Sequence, residues 1–285
     1  GPGNTFNGRD GRFNNIQIDG ANFNNNFGLS SSNLPGGDAQ PISLDAIEEI
    51  SVNISPFDVK QGNFTGAGVN AVTRSGTNTF TGSVYGFYRN QDFNGKYAAS
   101  AKLPEATQSE TKSYGMRLGG PIIKNKLFFF ASFEDDKETT PGTNFVANSG
   151  SDPITGNTTR VLASDLNTLS SYLRNNFGYE TGPYQGYDHS TIATKFLAKI
   201  DYNINDKNKL SLRYNHLDSS TDVLLSGSSS LGFGSRNFRP EALNFQNSNY
   251  SIMENIRSIV AELNTRVSNN VSNNLIVGYT FQDES

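Results

Sequence analysis

Seven stretches of this chain alternate apolar and polar residues over ten positions or more. That periodicity restricts the fold more than any other feature of the sequence. The stretches are Thr79–Gln91, Thr111–Pro121, Lys126–Asp136, Thr191–Ile204, Lys209–Ser219, Arg257–Val267 and Asn274–Asp283. A β-strand turns successive side chains to opposite faces, so a period of two sorts them into two surfaces. The fourth stretch sorts most cleanly. Ile192, Thr194, Phe196, Ala198, Ile200, Tyr202 and Ile204 share one surface, and Ala193, Lys195, Leu197, Lys199, Asp201 and Asn203 share the other. Likewise Tyr114, Met116 and Leu118 oppose Ser113, Gly115 and Arg117, and Leu210, Leu212 and Tyr214 oppose Ser211, Arg213 and Asn215. The first stretch is ambiguous, because Val84 and Tyr88 compete with Tyr85 and Phe87. The third begins apolar on both faces, at Leu127 to Phe130.

The connections separate the readings these strands allow. Ile122–Asn125, Asn205–Asn208 and Ser268–Asn273 are short, whereas residues 92–110, 137–190 and 220–256 form long polar links. In an up-and-down sheet alternate connections lie at the same end. One end therefore carries tight turns and the other carries long loops, as in outer-membrane barrels. A soluble sandwich has no reason to segregate loop length in this way. Strands of about 9–11 residues also match the span that a tilted strand needs to cross hydrocarbon.

Composition agrees. Only 34 % of the 285 residues are hydrophobic and 18 % are charged, with 28 Gly, 20 Phe and 12 Tyr. A barrel strand shows lipid at every second residue only, so a low average does not argue against a membrane. The net charge of −4 and the lack of a basic stripe argue against nucleic-acid binding. With no Cys there is neither a disulfide framework nor a thiolate metal site, and the two His are far apart, so neither a metal nor a cofactor is expected. No run is long and apolar enough for a membrane-spanning helix. Gly1-Pro2-Gly3 is not a signal peptide, and a mature start or a fragment boundary is expected there.

Residues 1–76 differ in character. Ile16 and Ile18 alternate within Phe13–Asp19 and end at Gly20. Pro41–Glu49 reads as one or two helical turns capped by Ser43. Ile50, Val52 and Ile54 form a strand, and Gly68–Thr73 forms another before the turn at Ser75–Asn78. This is a small α+β unit. It is rich in Gly and Asn, and a hydrated, weakly packed contact surface is expected of it. In the longest loop Leu166, Leu169, Leu173 and Phe177 recur at helical spacing, with capping residues at Ser164 and Gly178 at the end. The reading is a helix packing on its own loop, with Leu166, Leu169 and Leu173 on the buried side. A ligand-contacting helix is the alternative.

On these residues the chain resembles the TonB-dependent outer-membrane transporters. RFNNIQIDG, then IEEISV at 47–52, then GAGVNAVT at 66–73 is similar to the second half of that family's plug, followed at once by barrel strands. The wording GAGVNAVTRSGTNTFTGSVYGFYRN is most similar to the Oar-like branch common in Bacteroidetes-type bacteria. The acidic pattern around Glu48 and Glu49 is only partly kept, and Ser55-Pro56-Phe57-Asp58 replaces the usual turn. The resemblance implies a fragment: residues 1–76 as the C-terminal half of a plug, and residues 77–285 as about seven antiparallel strands of a 22-strand transmembrane barrel. It also implies a place in the bacterial outer membrane among its lipids, no covalent chemistry, and a TonB-binding segment that this chain lacks. A surface lipoprotein is a further conceivable partner.

Energised uptake of a peptide, protein-derived or oligosaccharide substrate is the function this implies. A structural or adhesive barrel that binds a partner through its loops is the alternative. Under the resemblance the plug apex, Asn22, Phe23, Asn24, Asn25, Asn26 and Phe27, meets substrate through amides and rings, although the same composition suits a flexible loop. Inward-facing Arg117, Lys195, Lys199 and Arg213 are expected to face Asp19, Glu48 or Glu49 across the plug–barrel contact.

Other motifs carry less. Gly66–Ala71 fits a dinucleotide fingerprint but continues as a strand instead of opening a helix. Glu134–Glu138 lacks the spacing of a calcium loop and reads as a solvated strand end on the outer surface. His216, Asp218 and Ser219 lack a nucleophile elbow and read as interfacial residues near the outer rim.

Overall fold

The alternating stretches form one antiparallel sheet whose inner face is covered by a smaller sheet from the first 76 residues. The computed structural model describes residues 6, 8, 10–24, 39–54, 66–95, 97–98, 101–102, 108–225, 227 and 236–285.

The small sheet holds β1 (Asn15–Ile18), β2 (Ala21–Asn22), β3 (Ile47–Ile54) and β4 (Ala67–Thr73), in the order β2-β1-β4-β3. β1 and β2 make a two-residue hairpin with Ile18 opposite Ala21. Asp19 and Gly20 both take positive φ, 48° and 75°. An Asp-Gly pair suits that geometry because Gly lacks a Cβ and Asp tolerates the left-handed region. β1 also runs parallel to β4, a long-range pairing that no local pattern announces. The helical turn read over Pro41–Glu49 is shorter in the structure. It covers Leu44–Ala46 only, with the Ser43 side chain accepting from the Asp45 N–H at 3.2 Å. Ile47 is already extended, so Glu48 and Glu49 belong to β3.

The large sheet begins with β5 (Thr81–Asn90). Two short strands, β6 (Tyr97–Ala98) and β7 (Ala101–Lys102), lie in the first long loop. β8 (Glu110–Ile123) and β9 (Leu127–Pro141) follow. The second long loop carries β10 (Val146–Asn148), β11 (Thr158–Leu162) and helix α1 (Ala163–Phe177). Then come β12 (Asp188–Asn205), β13 (Asn208–Val223), β14 (Tyr250–Arg266) and β15 (Ser272–Glu284). The order β15-β14-β13-β12-β9-β8-β5 is an up-and-down meander. Among the described residues the sheet is open, with β5 and β15 at its edges.

The expected alternation holds. Val84, Met116, Leu118, Phe196, Ile200, Leu212, Ile259 and Val277 lie exposed on one face, while Lys195, Leu197, Lys199, Arg213, Leu217 and Ile256 are buried beneath the small sheet on the other. The ambiguity in the first strand resolves the same way: Val84 points outward, 86 % exposed, and the Tyr85 hydroxyl reaches inward to Glu134.

Two expectations change. The strands run past their apolar stretches at the long-loop end: β9 reaches Pro141, β12 starts at Asp188, and β14 starts at Tyr250. Backbone pairing needs no lipid-facing side chain, so the ladder continues where the apolar signal stops. The contact between the sheets is also drier than the Gly/Asn-rich composition suggests. Ile18 of the small sheet and Phe23, Ala39, Ile42 and Ala46 of its connecting segments pack with Phe130, Ala193, Leu197, Leu217 and Ile256 of the wall in one apolar cluster. At Gly76, where the chain passes from one sheet to the other, an added Cβ would lie 2.2 Å from the Phe129 carbonyl oxygen. Only Gly lets the link run that close to the wall.

The loop helix is present and ends at Gly178 in the left-handed conformation, φ 64°, whose N–H bonds Arg174 O and Leu173 O. Its N-cap is Leu162, without a side-chain cap. Of the three leucines expected to be buried, Leu166 is buried and Leu173 is half-buried, but Leu169 is 46 % exposed. Only one narrow side of the helix rests on the loop, through Leu166 and a Ser170–Thr181 hydroxyl contact of 2.8 Å, and Leu169 falls outside it.

Candidate functional site

Three polar junctions surround the apolar cluster and tie the small sheet to the wall. The register of β12 and β13 places Lys199 directly opposite Arg213. Like charges at such cross-strand positions repel. The Asp19-Gly20 turn brings a carboxylate to this pair: Asp19 Oδ2 lies 2.9 Å from Arg213 Nη1 and 3.8 Å from Lys199 Nζ. The same carboxylate accepts from the Thr73 N–H at 2.7 Å and from its hydroxyl at 2.6 Å. Lys199 Nζ donates to Thr73 Oγ1 at 3.2 Å and to Thr73 O at 3.3 Å. Lys199 and Arg213 are 8 % and 2 % exposed, so Asp19 is the anion that makes their burial tolerable.

The second junction centres on Glu134. It accepts from Lys195 Nζ at 2.7 Å, from Ser43 Oγ at 2.7 Å and from the Tyr85 hydroxyl. Lys195 also reaches Asp136 at 2.5 Å. In the third, Asp45 is 3.2 Å from Arg117 Nε and accepts from Ser83 Oγ at 2.6 Å, while its carbonyl accepts from Arg74 Nε at 3.1 Å.

Of the residues singled out in the sequence, Asp19, Lys199 and Arg213 meet across the contact and Arg117 meets Asp45, whereas Lys195 does not face a carboxylate of the first 76 residues: it pairs with Glu134 and Asp136 of the neighbouring wall strand β9, whose register brings them closer. Glu48 and Glu49 lie exposed on β3, and Asp45 faces Arg117 in their place. Glu134 is buried and belongs to the second junction, so it is not a solvated outer strand end. Its inward parity, shared with Ser132 and Asp136, was the signal that could have placed it. Ser43, Ser83, Tyr85 and Thr73 also take part, and no local pattern marks them. His216 and Asp218 lie on the outward face, 3.0 Å apart, with Asp218 held by Arg257.

Among the apex residues, Asn22 is exposed. Phe23 is buried in the apolar cluster, because its ring gains more from the core than from water. Asn24 is spent internally, accepting from the Ile16 N–H at 2.7 Å and donating to Asn15 Oδ1 at 3.0 Å. Asn25, Asn26 and Phe27 lie outside the described residues. Among the described residues no group of three or more His, Asp or Glu is placed to hold a metal ion.

A meander apolar outside, charged inside and covered on its inner face defines the class: a wall segment of a membrane barrel with a polypeptide seated against its lumenal side. Residues 72–285 match the model of the outer membrane beta barrel domain, and the chain belongs to that family, which places it in the bacterial outer membrane. It is 34 % identical over 112 residues to the TonB-dependent transporter Oar of Myxococcus xanthus, an alignment covering 37 % of this chain and 11 % of that protein. The outer membrane transporter YddB of Escherichia coli superposes with a TM-score of 0.58 at 14 % identity, over 97 % of this chain and 32 % of the other. The siderophore receptor PirA of Acinetobacter baumannii aligns over 98 % of this chain and 41 % of its own, at 15 % identity and a TM-score of 0.44. The chain thus spans less than half the length of each of these proteins. These relatives are transporters and receptors, not enzymes.

Proposed function

We propose that the chain is the gate-bearing part of a TonB-dependent outer-membrane transporter of the Oar-like, Bacteroidetes-type branch. Residues 1–76 act as the C-terminal half of the plug, and residues 77–285 as the first strands of a 22-strand barrel. In this reading a peptide, protein-derived or oligosaccharide substrate enters from the long-loop end and meets Asn22 and the segment 25–27. TonB, pulling on a segment upstream of this chain, then rearranges the small sheet and opens a path along the wall. A surface lipoprotein over the loops fits the same scheme.

The observation that carries the proposal is the make-up of the contact between the sheets. Ion pairs at Asp19 and Asp45 and the Ser43–Glu134 hydrogen bond surround a modest apolar cluster. Such contacts separate and re-form locally, whereas the continuous hydrogen-bonded ladder of β8 to β15 stays intact.

The test is a reversible lock. The chain has no Cys, so Asp45→Cys with Ser83→Cys introduces one bridge where the native side chains are 2.6 Å apart. In the full-length protein in cells, uptake should stop when the pair is oxidised and return on reduction. Uptake at the full rate with the bridge closed would remove the gating role. It would favour the adhesive barrel, whose loops bind without transport.

A further inference from the structure

The long loop between β9 and β12 presents an aromatic tip that neither the barrel wall nor the contact between the sheets uses. At the C-terminal end of α1, Tyr172 and Phe177 are 56 % and 68 % exposed, with ring centroids 6.0 Å apart and the planes inclined at 67°. Leu169 and Tyr179 are exposed beside them in sequence, as are Asn175 and Asn176.

The tip is held rigidly. Gly178 closes the helix, the Tyr179 N–H bonds Leu173 O at 3.3 Å, Ser170 bonds Thr181, and the Asn247 side chain of the following loop donates to Glu180 O. Large rings fixed in water on a preorganised element forgo burial worth about 25 cal/mol per Å². That loss is recovered when a partner covers them.

The chemistry of the tip narrows the partner. Its charges cancel internally, because Arg174 closes on Glu180 at 2.8 Å, leaving rings and amides. A charged ligand finds no counter-ion there. A protein partner needs about 800 Å² on each side, far more than four side chains at one helix end supply. A ring with apolar C–H faces and hydroxyl edges fits both features, since the aromatics cover its face, the exposed Asn175 amide donates to and accepts from its hydroxyls, and Asn176, whose Nδ2 donates to Tyr172 O at 2.9 Å, offers its oxygen as an acceptor. We propose that the C-terminal end of α1 is a binding platform for a neutral sugar unit of an oligosaccharide. The proposal rests on the reading above only in placing the long loops outside the cell. The binding itself does not depend on transport.

The purified full-length protein would be titrated by calorimetry with neutral hexose oligosaccharides, with phosphorylated counterparts and basic peptides in parallel. Binding of neutral sugars is expected, weakened at least tenfold by Tyr172→Ala and by Phe177→Ala. Asn167→Ala, a substitution on the same helix away from the tip, should leave it unchanged. Circular dichroism and the melting temperature check that the variants stay folded. Binding of the neutral panel that survives both ring substitutions, or a response only to phosphorylated sugars or peptides, overturns the proposal. A locked gate that blocks uptake while sugar still binds would separate this site from the gating mechanism.

Discussion

Replacing Asp19 with Asn removes a charge while keeping the shape of the turn, and it tests how the small sheet is held. The carboxylate is the anion between Lys199 and Arg213, and it also accepts twice from Thr73. Asn keeps one acceptor but turns a donor toward a site already full of donors. The two cations are then left facing each other across β12 and β13. Two unit charges about 5 Å apart at an effective dielectric constant of about 20 repel by roughly 3 kcal/mol. Removing one partner of a buried ion pair typically costs about 3–5 kcal/mol. The repulsion is present in the native protein as well, where Asp19 offsets it; the cost of losing Asp19 is the second figure. At 1.4 kcal/mol per factor of ten, the small sheet should open roughly 100-fold to several-thousand-fold more often. Hydrogen exchange on the full-length protein in a bilayer would show this as faster exchange at residues 15–22 and 67–73, with β13 and β14 unchanged. Adding Lys199→Met to Asp19→Asn removes one of the stranded cations and should restore much of the protection. Unchanged exchange in the single variant, or no recovery in the double, would refute the electrostatic account.

Cysteine placed at Ala198 should be shielded by lipid from a water-soluble thiol reagent, whereas cysteine at Lys199 should be covered by the small sheet and become reactive when that sheet is displaced; identical labelling with the sheet seated or displaced would undo the facing of β12. In the long loop, Leu166→Ala should lower the protection of α1 by about 2–4 kcal/mol, whereas exposed Leu169→Ala should change it by less than about 0.5 kcal/mol; equal effects would mean the helix packs on the loop differently. The Ser149 N–H, donating at 2.7 Å, holds the Asp152 carboxyl below the usual aspartate range. Its contribution to the turn is therefore present above the unfolded pKa and is lost as pH falls through the lowered value. Carbon NMR of the Asp152 carboxyl should show a midpoint below that of an exposed aspartate.

The sequence by itself determined which side of most strands meets lipid, which end of the sheet carries the long loops, and where the chain turns at Asp19-Gly20; for β5 the structure made the choice. All three are local: a strand's two faces follow from parity, and a turn follows from two residues. The inward placement of Arg117, Lys195, Lys199 and Arg213 was legible for the same reason, since a charge in the lipid-facing series near mid-bilayer costs roughly 2–4 kcal/mol. Their partners were not legible. Asp19 and Arg213 are 194 positions apart, and only the stacking of one sheet on the other decides that Asp45 faces Arg117 while Glu48 and Glu49 lie exposed. Tertiary structure also decided why Leu197, Leu217 and Ile256 stand among polar neighbours on the inner face. Parity marks that face as lumenal, and a lumen open to water gives no reason for leucine there. Ile18 of the small sheet, with Phe23 and Ile42 from the segments beside it, supplies the reason, because those side chains leave water only when this unit meets the wall.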